Sequence, residues 1–253
     1  MQKALQIFSD AHHIIAHYSA IRENYCSRST LTMSDPIPSS TVVLLRDTRR
    51  GIKVLLLRRN SKIAYGGSWV FPGGRIDPDE IAKTDHNALQ AAKLAAVRET
   101  HEEAGITLEQ EKLVYFSHWT TPVIRPKRFS TWFFMAPVSE KKVEIDGGEI
   151  HDFEWHTPES ALQAQNQGSI ELPPPTFVTL TQLSRFGSTT QALEHFAAQP
   201  PLEIQPIVTL NNEGIIYLYN GDGGYASANP EEPGRRHRLL QPKQGAWTYI
   251  CEP

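Results

Sequence analysis

The chain has 253 residues, enough to bury a full core without disulfide or metal staples, and its length suits one domain with additions or two small ones. A hydrophobic fraction of 40% with 21% charged residues excludes wholesale disorder, and a formal net charge of -3 excludes a broad attraction to nucleic acid or anionic lipid. A polyanionic substrate must therefore be met by local cations.

Residues 1–37 read as an N-terminal extension, with Met33 directly before the turn-rich Ser34-Asp35-Pro36-Ile37-Pro38. Ile14 and Ile15 are hemmed in by His12, His13 and His17, a poor signal peptide, and no apolar run reaches the roughly 18 residues of a membrane span. Cys26 and Cys251 share no metal-ligand or redox spacing, so both are expected as free thiols in a reducing compartment, with the cytoplasm as the default location.

From Thr41 the chain becomes strand-like, with β-rich runs at 42–45 and 54–57 around a polar turn ending at Gly51, a hairpin pattern. A third strand ends at Trp69-Val70-Phe71, and Pro72-Gly73-Gly74 breaks it before an Asp/Pro-rich loop. Between 87 and 104 the period changes to helical, placing Leu89, Ala92, Ala96, Val97, Thr100 and Ala104 on one face, with Gly105 as the stop. Strands are predicted at 113–118, 130–136 and 150–155, and Thr157-Pro158-Glu159-Ser160 caps a short helix. Pro173-Pro174-Pro175 marks a joint, followed by helices at 176–186 and 191–198 and, after Pro200-Pro201, strands at 204–210, 214–219 and 246–251. The pattern indicates an α/β or α+β sandwich. The expected units are a domain over 38–172, a helical segment over 173–200 and a C-terminal β appendage over 201–253.

The chemically informative stretch is Arg98-Glu99-Thr100-His101-Glu102-Glu103-Ala104-Gly105. Residues three and four apart share a helix flank, so Glu99, Glu102 and Glu103 project together. Glu99 and Glu103 form a like-charge pair costing about 0.2–0.5 kcal/mol, and an anion at a helix C-terminus costs about 0.3–1 kcal/mol. One arginine faces three carboxylates, and a hard dication, Mg²⁺ or Mn²⁺, is the natural compensator. The bland reading is a solvated acidic helix end.

The surrounding residues favour the metal reading. The Nudix box runs Gly, five residues, Glu, seven residues, Arg-Glu, apolar, any, Glu-Glu, any, Gly, apolar. Phe71-Pro72-Gly73-Gly74, then Glu80, then Arg98-Glu99 through Glu102-Glu103 to Gly105-Ile106 resemble it in order. Two departures stand out: seventeen residues separate Glu80 from Arg98, and Thr100 replaces an aliphatic residue. Counting back the usual interval from Arg98 reaches Gln90, so Glu80 and Gln90 compete for the first glutamate position.

The resemblance, over 38–162, implies the family's α/β/α sandwich with a mixed sheet, here with a small C-terminal α+β appendage. It implies a diphosphohydrolase in which Glu99, Glu102 and Glu103, with a backbone carbonyl near Gly73 or Gly74, hold Mg²⁺ or Mn²⁺ that activates water for in-line attack at phosphorus. Arg98 would fix a carboxylate rotamer. Glu149, on the loop Asp146-Gly147-Gly148-Glu149, resembles the additional carboxylate that other members bring as general base.

The insertion within the box, Ser117-His118-Trp119-Thr120-Thr121-Pro122 and the Asp146-to-Glu149 loop resemble the branch containing acyl-CoA diphosphatases, implying cleavage of CoA or acyl-CoA to a 4′-phosphopantetheine and 3′,5′-ADP. Of the CoA signature before Phe-Pro-Gly-Gly, Gly67 fits while Arg59 and Ile63 depart. Arg58, Arg59, Lys62, Arg125, Lys127 and Arg128 offer cations for substrate phosphates, and Trp69, Tyr65 or Trp119 could stack on adenine, although core packing is the commoner use of such aromatics. ADP-ribose, a nucleotide sugar or a dinucleotide are alternative substrates, and a non-catalytic nucleotide-binding module is the alternative class. The ten histidines lack a zinc-like partner set, and Gly234-Arg235-Arg236-His237-Arg238 reads as a solvated face. The expected partner is a small nucleotide diphosphate, without nucleic acid or membrane; the sequence leaves the oligomeric state open, a homodimer included.

Overall fold

The structure, a computed structural model, describes residues 35–60, 66–139, 142–145 and 147–252. The expectations for residues 1–34, including Cys26 and Met33, and those for Lys62, Ile63, Tyr65 and Asp146 lie outside the described residues.

Twelve strands and five α-helices are formed among the described residues. Strands β1 (Ile37–Thr48) and β2 (Gly51–Arg59) make the predicted hairpin, but the ladder runs to the Thr48–Gly51 pair, leaving a two-residue turn. Gly51 closes that turn at φ 98°, a left-handed backbone that suits glycine. The remaining strands of this sheet are β3 (Trp69–Val70), β4 (Gly73–Arg75), β5 (Val114–Thr120), β6 (Phe129–Pro137), β7 (Ile150–His156) and β8 (Leu202–Ile204). Their order is β3-β2-β1-β6-β5-β8, with β4 also on β1 and β7 on β2; β1–β6 and β5–β8 are parallel and the other pairs antiparallel, which makes the sheet mixed.

The continuous apolar runs in β1 and β2 follow from burial on both faces. Val42, Leu44, Leu55 and Leu57 pack on one side with Ala91, Ala92, Ala95 and Ala96 of the long helix α2 (Ala88–Ala104). Val43, Leu45, Val54 and Leu56 pack on the other, with residues from α3 (Pro158–Asn166), α4 (Pro174–Leu183) and α5 (Thr189–Ala197). The alanine face of α2 lets helix and sheet backbones approach closely. The architecture is therefore the expected helix–sheet–helix sandwich with a mixed sheet.

The insertion between Glu80 and Arg98 becomes structure of its own. Where an Asp/Pro-rich loop was predicted, helix α1 (Pro78–Lys83) forms on a capping box between Asp77 and Glu80, with Pro78 at its first position. Asp85 and His86, at φ 49° and 61°, turn the chain, and the Asn87 side chain accepts from Gln90 N–H to start α2. Gly105, at φ 68°, ends α2 as predicted.

The predicted strand at 204–210 splits at Pro206. Leu202–Ile204 joins the main sheet as β8, and β9 (Ile207–Leu210) opens a second, four-stranded sheet with β10 (Gly214–Leu218), β11 (His237–Pro242) and β12 (Thr248–Cys251), in the order β12-β11-β10-β9. Segment 201–253 thus joins the main sheet through Leu202–Ile204 at its start and builds a separate sheet from the rest. Ser130 Oγ lies 2.9 Å from His118 Nε2 and Glu203 Oε2 lies 3.1 Å from His118 Nδ1, a cross-strand row that ties β8 to β5 and β6.

Strand β11 was not legible in the sequence, and its basic start is a correction. Arg238 is buried, not a solvated charge: Nε and Nη2 each donate to Asp222 at 2.7 Å. His237, also buried, contacts Asn220 O at 2.7 Å and Tyr249 Oη at 3.0 Å. Cys251 is an exposed free thiol, and no helix among the described residues is long and apolar enough to cross a membrane.

Candidate active site

The C-terminal half of α2 packs beside strands β1 and β4, and residues of all three line a cavity of about 770 Å³. Register places Ser40 opposite Gly74 and Thr41 opposite Gly73, so the glycine turn lies flat on β1. Gly73 has φ 156°, and a Cβ there would sit 2.3 Å from the Ser40 carbonyl oxygen, so only glycine fits. Its N–H donates to Glu103 Oε2 at 2.8 Å. At Gly74 a Cβ would meet Glu99 Oε1 at 2.3 Å, so the missing side chain is the space Glu99 occupies. Since that obstacle is the movable end of a side chain, Gly74→Ala is expected to displace the Glu99 carboxylate, lowering turnover about tenfold or more while the melting temperature changes little, as steady-state assays beside a melting curve will check.

Arg98 organises the carboxylates. Its guanidinium donates to Glu80 through Nε at 2.9 Å, to Glu99 and Glu102 through Nη1 at 2.9 and 3.0 Å, and to the Arg75 carbonyl at 2.9 Å. The Glu80 hydrogen bond, ahead of the Glu99 contacts, raises its pKa further above the ordinary arginine value. Arg98, a candidate catalytic residue, thus contacts the carboxylates of Glu80, Glu99 and Glu102 directly. Of the two candidates for the first glutamate position, Glu80 is the one at the site. The Gln90 side chain instead accepts from Gln110 Nε2 at 2.8 Å.

Thr100, the other departure from the box, is fully buried, and its hydroxyl donates to the Ala96 carbonyl at 2.7 Å. That bond satisfies the polar atom inside the helix, which is why a hydroxyl is tolerated at an apolar position. Thr100→Val leaves no orphaned group, and chemical denaturation should find stability changed by no more than about 1 kcal/mol.

Glu103 is the deepest acid of the cluster. Burial pushes its pKa up to about 8 against the opposing pull of the Gly73 N–H and Arg59, and burial likewise raises Glu99. Glu149 is exposed, yet it accepts from Arg59 Nη2 at 3.1 Å, and Arg59 Nη1 also lies 3.9 Å from Glu103 Oε1. Six carboxylates, Asp77, Glu80, Glu99, Glu102, Glu103 and Glu149, therefore share two arginines, Arg59 and Arg98. Ser40 Oγ and Arg59 Nε, also on the cavity-lining residues, are buried without a hydrogen-bond partner among the described residues.

This surplus of negative charge around hard oxygen donors fits a divalent cation. Among the described residues no three carboxylates converge on one point in this arrangement, because Arg98 draws Glu99 and Glu102 toward itself. A cation at Glu99, Glu102 and Glu103 would compete with Arg98 for the first two and with Arg59 and the Gly73 N–H for the third.

The other expected site residues divide. Arg59, Gly74 and Arg125 line the cavity, Arg125 as an exposed side chain on the loop between β5 and β6, where Lys127 stands as well. Arg128 does not line the cavity; it is buried and donates from Nε to the Thr121 carbonyl at 3.1 Å, bracing that loop. Trp69 is a core residue, edge-on to His156, whereas Trp119 lines the cavity. Missing from the sequence-based set are Pro173 to Thr176 and four residues of the second sheet, Val208, Leu210, Ile215 and Tyr217, which also line it. Their strand alternation was visible, but nothing local showed which sheet face the cavity would meet.

The chain is similar to known proteins in sequence and in fold. The NUDIX domain family is matched over residues 36–174, more than half of the chain. The Caenorhabditis elegans protein named nudix hydrolase 7 is 26% identical over 260 residues, covering 85% of this chain and 85% of its own length. Acyl-coenzyme A diphosphatase NUDT19 of Xenopus laevis is 33% identical over 127 residues, 47% of this chain and 32% of its own length. The human NUDT19 is 32% identical over 117 residues, 44% of this chain and 31% of its own length, so the match spans about a third of these diphosphatases. Among solved structures, a NUDIX hydrolase from Alicyclobacillus acidocaldarius shares the fold, with a TM-score of 0.59 at 22% identity over 67% of this chain and 100% of the other.

Proposed function

The chain belongs to the Nudix hydrolase family, and from that premise we propose that it is a Mg²⁺- or Mn²⁺-dependent diphosphohydrolase whose substrate is CoA or an acyl-CoA. The observation that carries the reading is the cluster of Glu99, Glu102 and Glu103 on one flank of α2, lining the cavity beside the Gly73-Gly74 turn that Glu103 and Glu99 contact directly. The substrate assignment draws on the names of the matched diphosphatases and on the cations at the cavity rim.

Glu99, Glu102 and Glu103 are the residues that would hold the metal. When bound, the cation supplies charge neutralisation for the diphosphate and acidifies the attacking water. Arg98, held by Glu80, fixes the resting positions of the Glu99 and Glu102 carboxylates. Gly73 fixes Glu103 through its backbone N–H. Glu149, a loop carboxylate that already lines the cavity and is held by Arg59, takes the proton from water as general base. Arg125 and Lys127 draw substrate phosphates to the rim. Water adds to one phosphorus, the bridging P–O bond breaks, and two phosphomonoesters leave.

The test is product identification by mass-resolved chromatography after incubating the full chain with CoA, an acyl-CoA, ADP-ribose, NADH and nucleotide sugars, with and without Mg²⁺. Metal-dependent 3′,5′-ADP from CoA or its thioesters is the expected outcome. AMP from ADP-ribose alone would overturn the substrate, and no product from any compound would overturn catalysis in favour of a nucleotide-binding module.

A further inference from the structure

Cross-strand register sets the starting point. In the second sheet Tyr217 pairs with Val208 and Ile215 with Leu210, so these four side chains stand on one face of β9 and β10. All four line the same cavity as Glu99, Glu102 and Glu103. Leu210 and Ile215 are only half-buried, and Trp119 and Phe133, which share an apolar cluster with Val208 and Tyr217, line the same cavity. The cavity lining thus combines carboxylates, arginines and glycine backbone with an aliphatic and aromatic wall.

That wall is held in place relative to the carboxylates. Strand β8, two residues before β9, pairs with β5 at Ser117–Leu202, His118–Glu203 and Trp119–Ile204, and the His118–Glu203 contact fastens it. The Tyr217 hydroxyl meets Gln241 Oε1 at 2.9 Å, orienting its ring from the sheet's own next strand. A bare diphosphate or a sugar would leave the apolar lining wetted. The occupant that satisfies both kinds of lining is a nucleotide diphosphate carrying a long, flexible, apolar arm.

We infer that segment 201–253 is the specificity element of the site: the face formed by Val208, Leu210, Ile215 and Tyr217 holds the acyl arm of the substrate, so acylated CoA is cleaved in preference to free CoA. This rests on the CoA-type reading above.

The experiment compares kcat/KM of the full chain for CoA, hexanoyl-CoA and dodecanoyl-CoA, with ADP-ribose alongside, in the wild type and in Ile215→Asp and Leu210→Gln. The wild type is expected to favour dodecanoyl-CoA over CoA by about tenfold or more, rising with chain length, and both variants to collapse that ratio toward one. Melting curves identify any variant that fails to fold, and the conservative Leu210→Gln retains the measurement if Ile215→Asp does not. Equal turnover of CoA and its thioesters by the wild type, or an unchanged ratio in folded variants, overturns the inference while leaving a CoA diphosphatase. Turnover of ADP-ribose without any CoA compound overturns the CoA reading itself.

Discussion

Glu102→Gln is expected to reduce Mg²⁺-dependent turnover at least about 100-fold, since loss even of groups supporting a metal ligand costs about 10–100-fold. The fold should survive, because Glu102 is exposed and its only side-chain contact described is with Arg98, on a helix end already crowded with like charge. Arg98 keeps Glu80 and Glu99 as partners after the change. Steady-state kinetics across a Mg²⁺ titration, with a melting curve on the same preparation, separates the two effects. Activity equal to the wild type at every metal concentration would remove Glu102 from the site.

Asp222→Ala is expected to be the most damaging single change to stability. Asp222 holds both donor arms of the buried Arg238 and accepts from the backbone N–H groups of Gly224 and His237 at 2.8 Å each. Removing one partner of a buried pair leaves an uncompensated charge, at about 3–5 kcal/mol. Thermal unfolding of a chain this size should shift down by on the order of 10 °C. A fall of under a degree would show that Arg238 finds solvent instead.

The same corner carries a pH dependence whose sign can be worked out. Burial, the largest influence on His237, lowers its pKa below 6.5; burial would raise Asp222, but the Arg238 and backbone hydrogen bonds outweigh it and lower that pKa below 3.8. In both cases the unfolded chain binds the proton more readily. Their stabilisation is therefore complete above the unfolded pKa and lost as pH falls through the folded value. Glu103, raised to about 8, has the opposite slope and weakens the fold as pH rises from 4.5, so wild type must be compared with a variant. The stability gap between wild type and His237→Gln should be widest above pH 6.5 and narrow below it, as denaturation midpoints across pH 4–8 will report.

Most of the acidic cluster was legible because its logic is local. Three and four residue spacing on a helix forces Glu99, Glu102 and Glu103 to one flank, and Gly105 ends the helix through its own backbone freedom. Strands β1 and β2 were legible from unbroken apolar runs, and the Thr157 cap from its side-chain chemistry. Short-range rules failed wherever the deciding partner was distant. Helix α1 was missed because Asp and Pro read equally as loop or as helix start, and Arg98, eighteen residues on, is what holds Glu80. Strand β11 was missed because Arg238 looks solvated until Asp222 is found beside it.

By itself the sequence determined the helix bearing the carboxylates, their shared flank and the glycine turn, since periodicity and backbone conformation need no distant neighbour. Only the tertiary structure decided that Glu80 rather than Gln90 meets Arg98, that Arg128 braces a loop instead of facing the cavity, and that β9 and β10 wall it. These depend on contacts between segments far apart in the chain, and burial and register across a sheet are properties no local pattern contains.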